Sequence, residues 1–179
     1  MINSEEKYDL IVAGGGIAGL TFSRHLMRKM PHLKIAIVER QKGPLPKAAH
    51  KVGESSLAPQ GNYYAHTLDL REYMESQQVE KFGVRYFFSD AGNSFSERPE
   101  VGGDKYFGIR EYQVDRGKIE NDLRRMNVEN GANLLDGYMV NTVGENEMYK
   151  HFALGFSQLH GYDHLYYLPI TEELDPKKR

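Results

Sequence analysis

The sequence contains no cysteine and no tryptophan, has little excess charge of either sign and lacks a long hydrophobic run. Zero cysteines exclude disulfides, thiolate metal ligands and a cysteine nucleophile. Lys and Arg (23) nearly balance Asp and Glu (25), for a formal net charge of -2, so no nucleic-acid partner is expected: that would call for a strongly basic domain. The longest apolar stretch, Leu10 to Leu20, is broken by glycines. It is far shorter than the roughly 20 residues a membrane helix needs, so no membrane segment is expected. Residues 1–7 are acidic and polar, unlike the basic start of a secretory signal, and by elimination a cytoplasmic location is expected. What is present is a globular composition, 40% hydrophobic and 27% charged, in 179 residues. That length suits one domain with a modest satellite.

The apolar run Tyr8 to Ala13 ends at a glycine cluster and reads as a buried parallel strand. Ile17 to Met30 has helical spacing at Ile17, Leu20, Phe22, Leu26 and Met27, and Pro31 stops it. Lys34 to Glu39 is a second strand. Gln41 to Lys51, with two prolines and a glycine, reads as a loop. Leu57 to Gln78 reads as one helix with Leu68, Leu70, Tyr73 and Met74 as inward positions. Phe82 to Phe88 is aromatic and β-like, and Tyr86, Phe87 and Phe88 are expected in a sheet core rather than on a ring-stacking platform. Ser89 to Gly108 reads as loop or hairpin, and Glu111 to Val114 as a short strand. Arg116 to Asn130 reads as a helix with Ile119, Leu123 and Met126 on one face and Gly131 past its end. Asn133 to Val143 reads as a strand with a turn at Asp136-Gly137. Residues 151–169 show little periodicity, and 172–179 read as a charged, frayed tail.

Strand, glycine turn, helix and strand thus follow one another over residues 8 to 39. Gly14-Gly15-Gly16-Ile17-Ala18-Gly19 fits the G-x-G-x-x-G pattern, and Glu39 comes 20 residues after Gly19, at the end of the second strand. Each part has a physical reason. Gly14 permits the tight turn, Gly16 lets the backbone approach a pyrophosphate, and Gly19 lets helix and strand pack closely. The helix N-terminus, with Ile17 and Ala18 in its first turn, offers N–H groups and positive potential to phosphates. Glu39 can accept hydrogen bonds from ribose hydroxyls and would repel a 2′-phosphate. These residues make a dinucleotide-binding βαβ unit, and they fit NAD as well as FAD.

Further motifs separate the two. His50-Lys51-Val52-Gly53-Glu54-Ser55-Ser56 resembles the K-V-G-E-S segment of flavin-dependent halogenases and related FAD-dependent oxidoreductases. Tyr112-Gln113-Val114-Asp115-Arg116 with Leu123 is similar to their Y-x-V-D-R-x-x-x-x-x-x-L segment, and Asp136-Gly137 with Val140 and Val143 to the strand pair that follows. Order and spacing agree over residues 8 to 143. The resemblance implies FAD as cofactor, with Gly14, Gly16, Gly19, Glu39 and Arg40 facing adenosine and pyrophosphate. It puts Gly53, Glu54 and Ser55 on the flavin side, and has Gln113 and Arg116 approach the cofactor or brace its loop. The plainer alternatives are an exposed Arg116 and a helix cap at Glu54-Ser55. A cation at Arg116, in the first turn of a helix, opposes the macrodipole, which points to a task other than helix stability.

Halogenases of this kind carry a lysine after the G-E-S segment that engages hypohalous acid and passes it to an electron-rich ring. Lys81 is the best positional match, the alternative being a solvated lysine at a strand start. Its neighbour Arg85 stays protonated and cannot act as an amine. The implied partners are a small-molecule substrate, with an aromatic ring as the candidate type, and a flavin reductase.

The chain also departs from the family. The A-S-G-type strand end, the G-D segment that cradles the ribityl chain and W-x-W-x-I-P are not found. The expected fold is therefore α/β, a truncated Rossmann-like FAD-binding βαβ domain, with residues 1–143 its partial FAD-binding domain and 144–179 unassigned. A fragment, a shortened relative, or a chain that pairs with another to complete its sheet would each account for this. Rival functions are an NAD-binding oxidoreductase domain and a non-catalytic dinucleotide-binding remnant. A metal site at His151, His160, Asp163 and His164 lacks a helical frame. Gly155-Phe156-Ser157-Gln158-Leu159 misses the last glycine of a nucleophile turn.

Overall fold

A computed structural model of the protein describes residues 7–89, 94–105, 108–140 and 152–154. In chain order the elements are β1 (Leu10–Ala13), α1 (Ile17–Lys29), β2 (Ile35–Glu39), α2 (Ala58–Asn62), a π-helical turn (Tyr63–Thr67), α3 (Arg71–Gln77), β3 (Val79–Lys81), β4 (Arg85–Phe87), a 3-10 turn (Phe95–Glu97), β5 (Glu100–Gly102), β6 (Glu111–Gln113), α4 (Arg116–Glu129), β7 (Asn133–Asp136) and β8 (Phe152–Leu154). The chain divides into two compact units, one from Met1–Val52 with Asp115–Arg179 and one from Gly53–Val114.

The first unit is built on a parallel sheet in the order β7-β2-β1-β8. Val12 pairs with Ile37 on one side and Ala153 on the other, and Ile37 pairs with Leu134. Ile35, Ala36, Ile37 and Val38 are all buried, as expected of a parallel strand covered on both faces. α1 buries Ile17 and Leu20, and its buried hydroxyls bond back within the helix: Thr21 donates to the Ile17 carbonyl and Ser23 to that of Gly19. Arg28 and Lys29 in the last turn suit the negative end of the helix dipole. α1 and α4 pack side by side, and the Asn127 amide of α4 donates to the Leu20 carbonyl at 2.9 Å. Ile119 and Leu123 are buried and Met126 half-buried, and Gly131 follows the helix with φ of 98°. Because β1 lies between β2 and β8, the sheet is of the doubly wound, Rossmann-like type. Its strand order reverses at β1, where ligands bind beyond the carboxyl ends of the strands.

The second unit holds Tyr64, Leu68, Leu70, Met74, Tyr112 and Val114 in its core, with β3 antiparallel to β6 and β4 antiparallel to β5. The expected single helix over 57–78 is instead broken. A π-helical turn interrupts it, and Asp69 takes φ of 55°, which no helix interior allows. Leu68, Leu70 and Met74 are inward as expected, and Tyr73 is half-buried. The aromatic expectation needs correction. Tyr86, Phe87 and Phe88 are exposed, on or beside the two-stranded β4–β5 ribbon, with the Phe95 ring against Phe87 at 4.6 Å between centroids. Residues 141–151 and 155–179, including the histidine cluster and Ser157, lie outside the described residues.

Candidate functional site

The bend after β1 shows why each fingerprint glycine is a glycine. Gly14 has φ of 112° and donates its N–H to the Val38 carbonyl at 2.8 Å, locking the turn onto β2. A Cβ on Gly19 would lie 1.9 Å from the Gly14 carbonyl oxygen, so only glycine lets α1 begin this close to the strand. A Cβ on Gly16 would meet nothing within 4 Å. Gly16 is the N-cap of α1, with no side-chain cap, so the first-turn N–H groups, Ile17 and Ala18 among them, have no intrahelical acceptor. The Ile17 side chain is buried, leaving its backbone as the part that can meet a ligand.

Glu39 at the end of β2 faces this bend. One carboxylate oxygen accepts the Gly15 N–H at 2.6 Å and the other accepts the Gln41 N–H at 2.8 Å. Each oxygen keeps a lone pair for a further donor, such as a ribose hydroxyl. Gly15 was only a spacer in the sequence pattern, yet a Cβ there would sit 2.8 Å from the Glu39 Cβ. Arg40 follows on the surface.

The loop from Gln41 to Val52 is fastened along α4 by a series of polar contacts. The Asn121 amide exchanges two hydrogen bonds of 2.8 Å with the Leu45 backbone. A Cβ on Gly117 would lie 1.9 Å from the Pro46 carbonyl oxygen. Asp115 caps α4 by accepting the Lys118 N–H at 2.9 Å and also accepts the Ala48 N–H at 3.0 Å. Burial raises the Asp115 pKa, but the hydrogen bonds from the Lys118, Ala48 and Gly117 backbones outweigh it and hold the carboxyl below its usual value. Arg116 is buried, not exposed. It donates to the Val52 carbonyl at 2.6 Å and pairs with Glu120, which is fully buried and also takes the Lys51 ammonium at 2.6 Å. Arg116 is thus a brace for the chain entering the G-E-S segment, which explains a cation at an unfavourable helix position.

In the second unit, Gly53 has φ of 89° and Ser55 forms an antiparallel bridge with Gln113. Both side chains are exposed. The helix that follows starts at Ala58 with Leu57 as N-cap and no side-chain cap, so Glu54 and Ser55 do not cap it. Lys81 ends β3, and its Nζ donates to Ser55 Oγ at 2.8 Å and to the Ser56 carbonyl at 2.6 Å, with Glu111 at 3.6 Å. The G-E-S serine, Gln113 and the lysine singled out from sequence therefore meet in one patch.

The residues of the first unit fit the adenosine diphosphate half of a dinucleotide. There is open space at Gly16, a set of backbone donors, and a carboxylate with acceptor capacity that is hydrogen-bonded to the turn itself. No group of three metal-ligating side chains occurs among the described residues, and no described helix is long and apolar enough to cross a membrane.

No protein-family model matches the sequence. Over 132 residues, 70% of this chain, the sequence is 33% identical to flavin-dependent halogenase chlA of Dictyostelium discoideum, of which it spans 22%. It is 44% identical over 59 residues to a mitochondrial L-2-hydroxyglutarate dehydrogenase of Caenorhabditis briggsae, 32% of this chain and 13% of that protein. The fold is similar to that of the myxobacterial chondrochloren halogenase CndH, described as a variant of FAD-dependent halogenases. The TM-score is 0.61 and the identity 25%, over 79% of this chain and 31% of that one. The chain therefore spans between about a fifth and a third of the halogenases it resembles.

Proposed function

Because the chain is a relative of flavin-dependent halogenases over part of their length, we propose that it binds FAD as the cofactor-binding portion of a halogenase-like oxidoreductase. The observation that carries this reading is the pairing of open space at Gly16 with a Glu39 carboxylate already oriented by two backbone amides. A reduced flavin supplies oxygen chemistry when bound, and a protein of this kind positions and tunes it. A reductase that delivers the reduced flavin and a small, electron-rich aromatic substrate complete the proposal.

The chain's own residues divide the work. Gly14 to Gly19 hold the diphosphate through backbone donors, and Glu39 holds the ribose. Gly53, Glu54, Ser55 and Gln113 serve the flavin side, with Arg116 bracing the approach to them through Val52. Lys81 is the group that meets hypohalous acid, as a hydrogen-bond donor held by Ser55 and Ser56. As a neutral amine it would keep two N–H groups, enough for these two acceptors.

The test is to titrate FAD, ADP and NAD into the 179-residue chain and to repeat this with Glu39→Ala. FAD and ADP binding, weakened by the substitution, supports the reading. Selective NAD binding points to the NAD-dependent alternative, and no binding of any of the three refutes the dinucleotide site altogether.

A further inference from the structure

Arg124 lies on α4, eight positions beyond the arginine of the V-D-R motif, and belongs to none of the sequence motifs. The structure buries it, with 6% exposure. Its guanidinium reaches the Gly15 carbonyl oxygen at 3.5 Å and the Gln41 carbonyl oxygen at 3.4 Å, and its Nε is buried with no hydrogen-bond partner among the described residues. These are the same two residues whose N–H groups Glu39 accepts. Gly15 and Gln41 are therefore each held twice, by a carboxylate at the N–H and by a guanidinium at the carbonyl. One belongs to the loop after β1 and the other to the loop after β2.

Peptide planarity gives this clamp a direction. The Gly15 carbonyl and the Gly16 N–H share one trans peptide unit, so they point opposite ways. With the carbonyl drawn toward Arg124, the Gly16 N–H is turned away from it. The nearby positive charge polarises that peptide in the sense that strengthens its N–H as a donor. The two carbonyl contacts are long, and burying a cation on contacts of that length is costly unless the arrangement does something else.

We propose that Arg124 is a positioning residue for the dinucleotide: it orients the Gly15-Gly16 peptide toward the diphosphate and, with Glu39, fixes the spacing of the two loops that receive the adenosine ribose. This rests on the dinucleotide reading above. It adds a residue outside the fingerprint, acting through backbone rather than by touching the ligand.

Calorimetric titration of ADP and of 2′,3′-dideoxy-ADP into the 179-residue chain tests it, with Arg124 intact and with Arg124→Met and Arg124→Lys. Arg124→Met is expected to weaken ADP about tenfold. It should also narrow the affinity ratio of ADP to the dideoxy analogue, since a loosened Glu39 no longer meets the hydroxyls in register. Arg124→Lys keeps the charge but not the planar fork, so it should retain more ADP affinity and still narrow the ratio. A purely structural role lowers the fraction of binding-competent protein and leaves the ratio alone. An unchanged ratio in Arg124→Met overturns the proposal. Should that variant not fold, an unchanged ratio in Arg124→Lys does so. If the unaltered chain binds no ADP, the dinucleotide reading falls and this proposal with it; binding without any change on substitution removes this proposal alone.

Discussion

Lys81 Nζ donates to Ser55 Oγ at 2.8 Å, tying the end of β3 to the G-E-S segment. The Ser56 carbonyl accepts a second ammonium proton at 2.6 Å, and the Glu111 carboxylate at 3.6 Å adds an ion pair. Lys81→Met is expected to destabilise the protein by about 1 kcal/mol: it strands the buried Ser56 carbonyl and the half-buried Glu111, while the exposed Ser55 hydroxyl can turn to water. Denaturant unfolding checks this. ADP affinity, which depends on residues of the other unit, should not move.

Gly16 and Gly19 should separate binding from stability. Gly19→Ala puts a methyl group 1.9 Å from the Gly14 carbonyl oxygen, so a loss of about 1–3 kcal/mol is expected. Gly16→Ala meets nothing within 4 Å and takes an ordinary extended φ of -82°. Its melting temperature should match the parent while FAD or ADP affinity falls. Equal behaviour of the two variants in either measurement contradicts the assignment.

Glu120 is fully buried and pairs with the buried Arg116 and with Lys51, which keeps a third of its side chain exposed, whereas the Arg125–Glu129 pair lies on the surface. Glu120→Ala leaves the buried Arg116 guanidinium without its carboxylate, while Lys51 can turn to water, and is expected to cost about 3 kcal/mol. Glu129→Ala should cost less than about 1 kcal/mol. Thermal unfolding of the two variants side by side measures the contrast.

Asp115 makes part of the stability pH-dependent. Its carboxyl is held below the usual value in the folded chain, so the charged form is favoured by folding. The contribution is complete at pH values above the unfolded-state pKa of about 4, and it is lost as pH falls through the depressed folded value. Asp115→Asn should keep the helix cap at neutral pH and lose this acid dependence, while Asp115→Ala should lose about 1 kcal/mol at neutral pH. Urea unfolding as a function of pH distinguishes them.

The strand–turn–helix–strand unit was legible because its constraints are local. Gly14 answers to its own positive φ and Gly19 to the Gly14 carbonyl five residues before it, and the apolar run over Ile35–Val38 declares a strand covered on both faces. Gly15 and Arg124 were not legible, because what constrains them lies far along the chain, at Glu39 and at Gln41. The helix break at Leu68–Leu70 was missed because Leu68, Leu70 and Met74 keep helix-like spacing across it while Asp69 turns the backbone. Composition marks Tyr86 to Phe88 as strand-forming but says nothing about whether another layer covers them. Lys81 was located by position alone. Its contact with Ser55 depends on β3 lying beside β6, a pairing that joins residues 79–81 to 111–113.

The pairing of β1 with β8 brings Val12 against Ala153. Such a contact closes a very long stretch of chain, and the entropy of that closure is met only late in folding. Until then β1 has its partner on the β2 side alone, and its other edge offers unpaired backbone groups to any extended segment nearby. During synthesis the glycine turn after β1 can thus take shape long before its strand is flanked on both sides, which makes the nascent chain, more than the finished one, the form in need of protection from self-association.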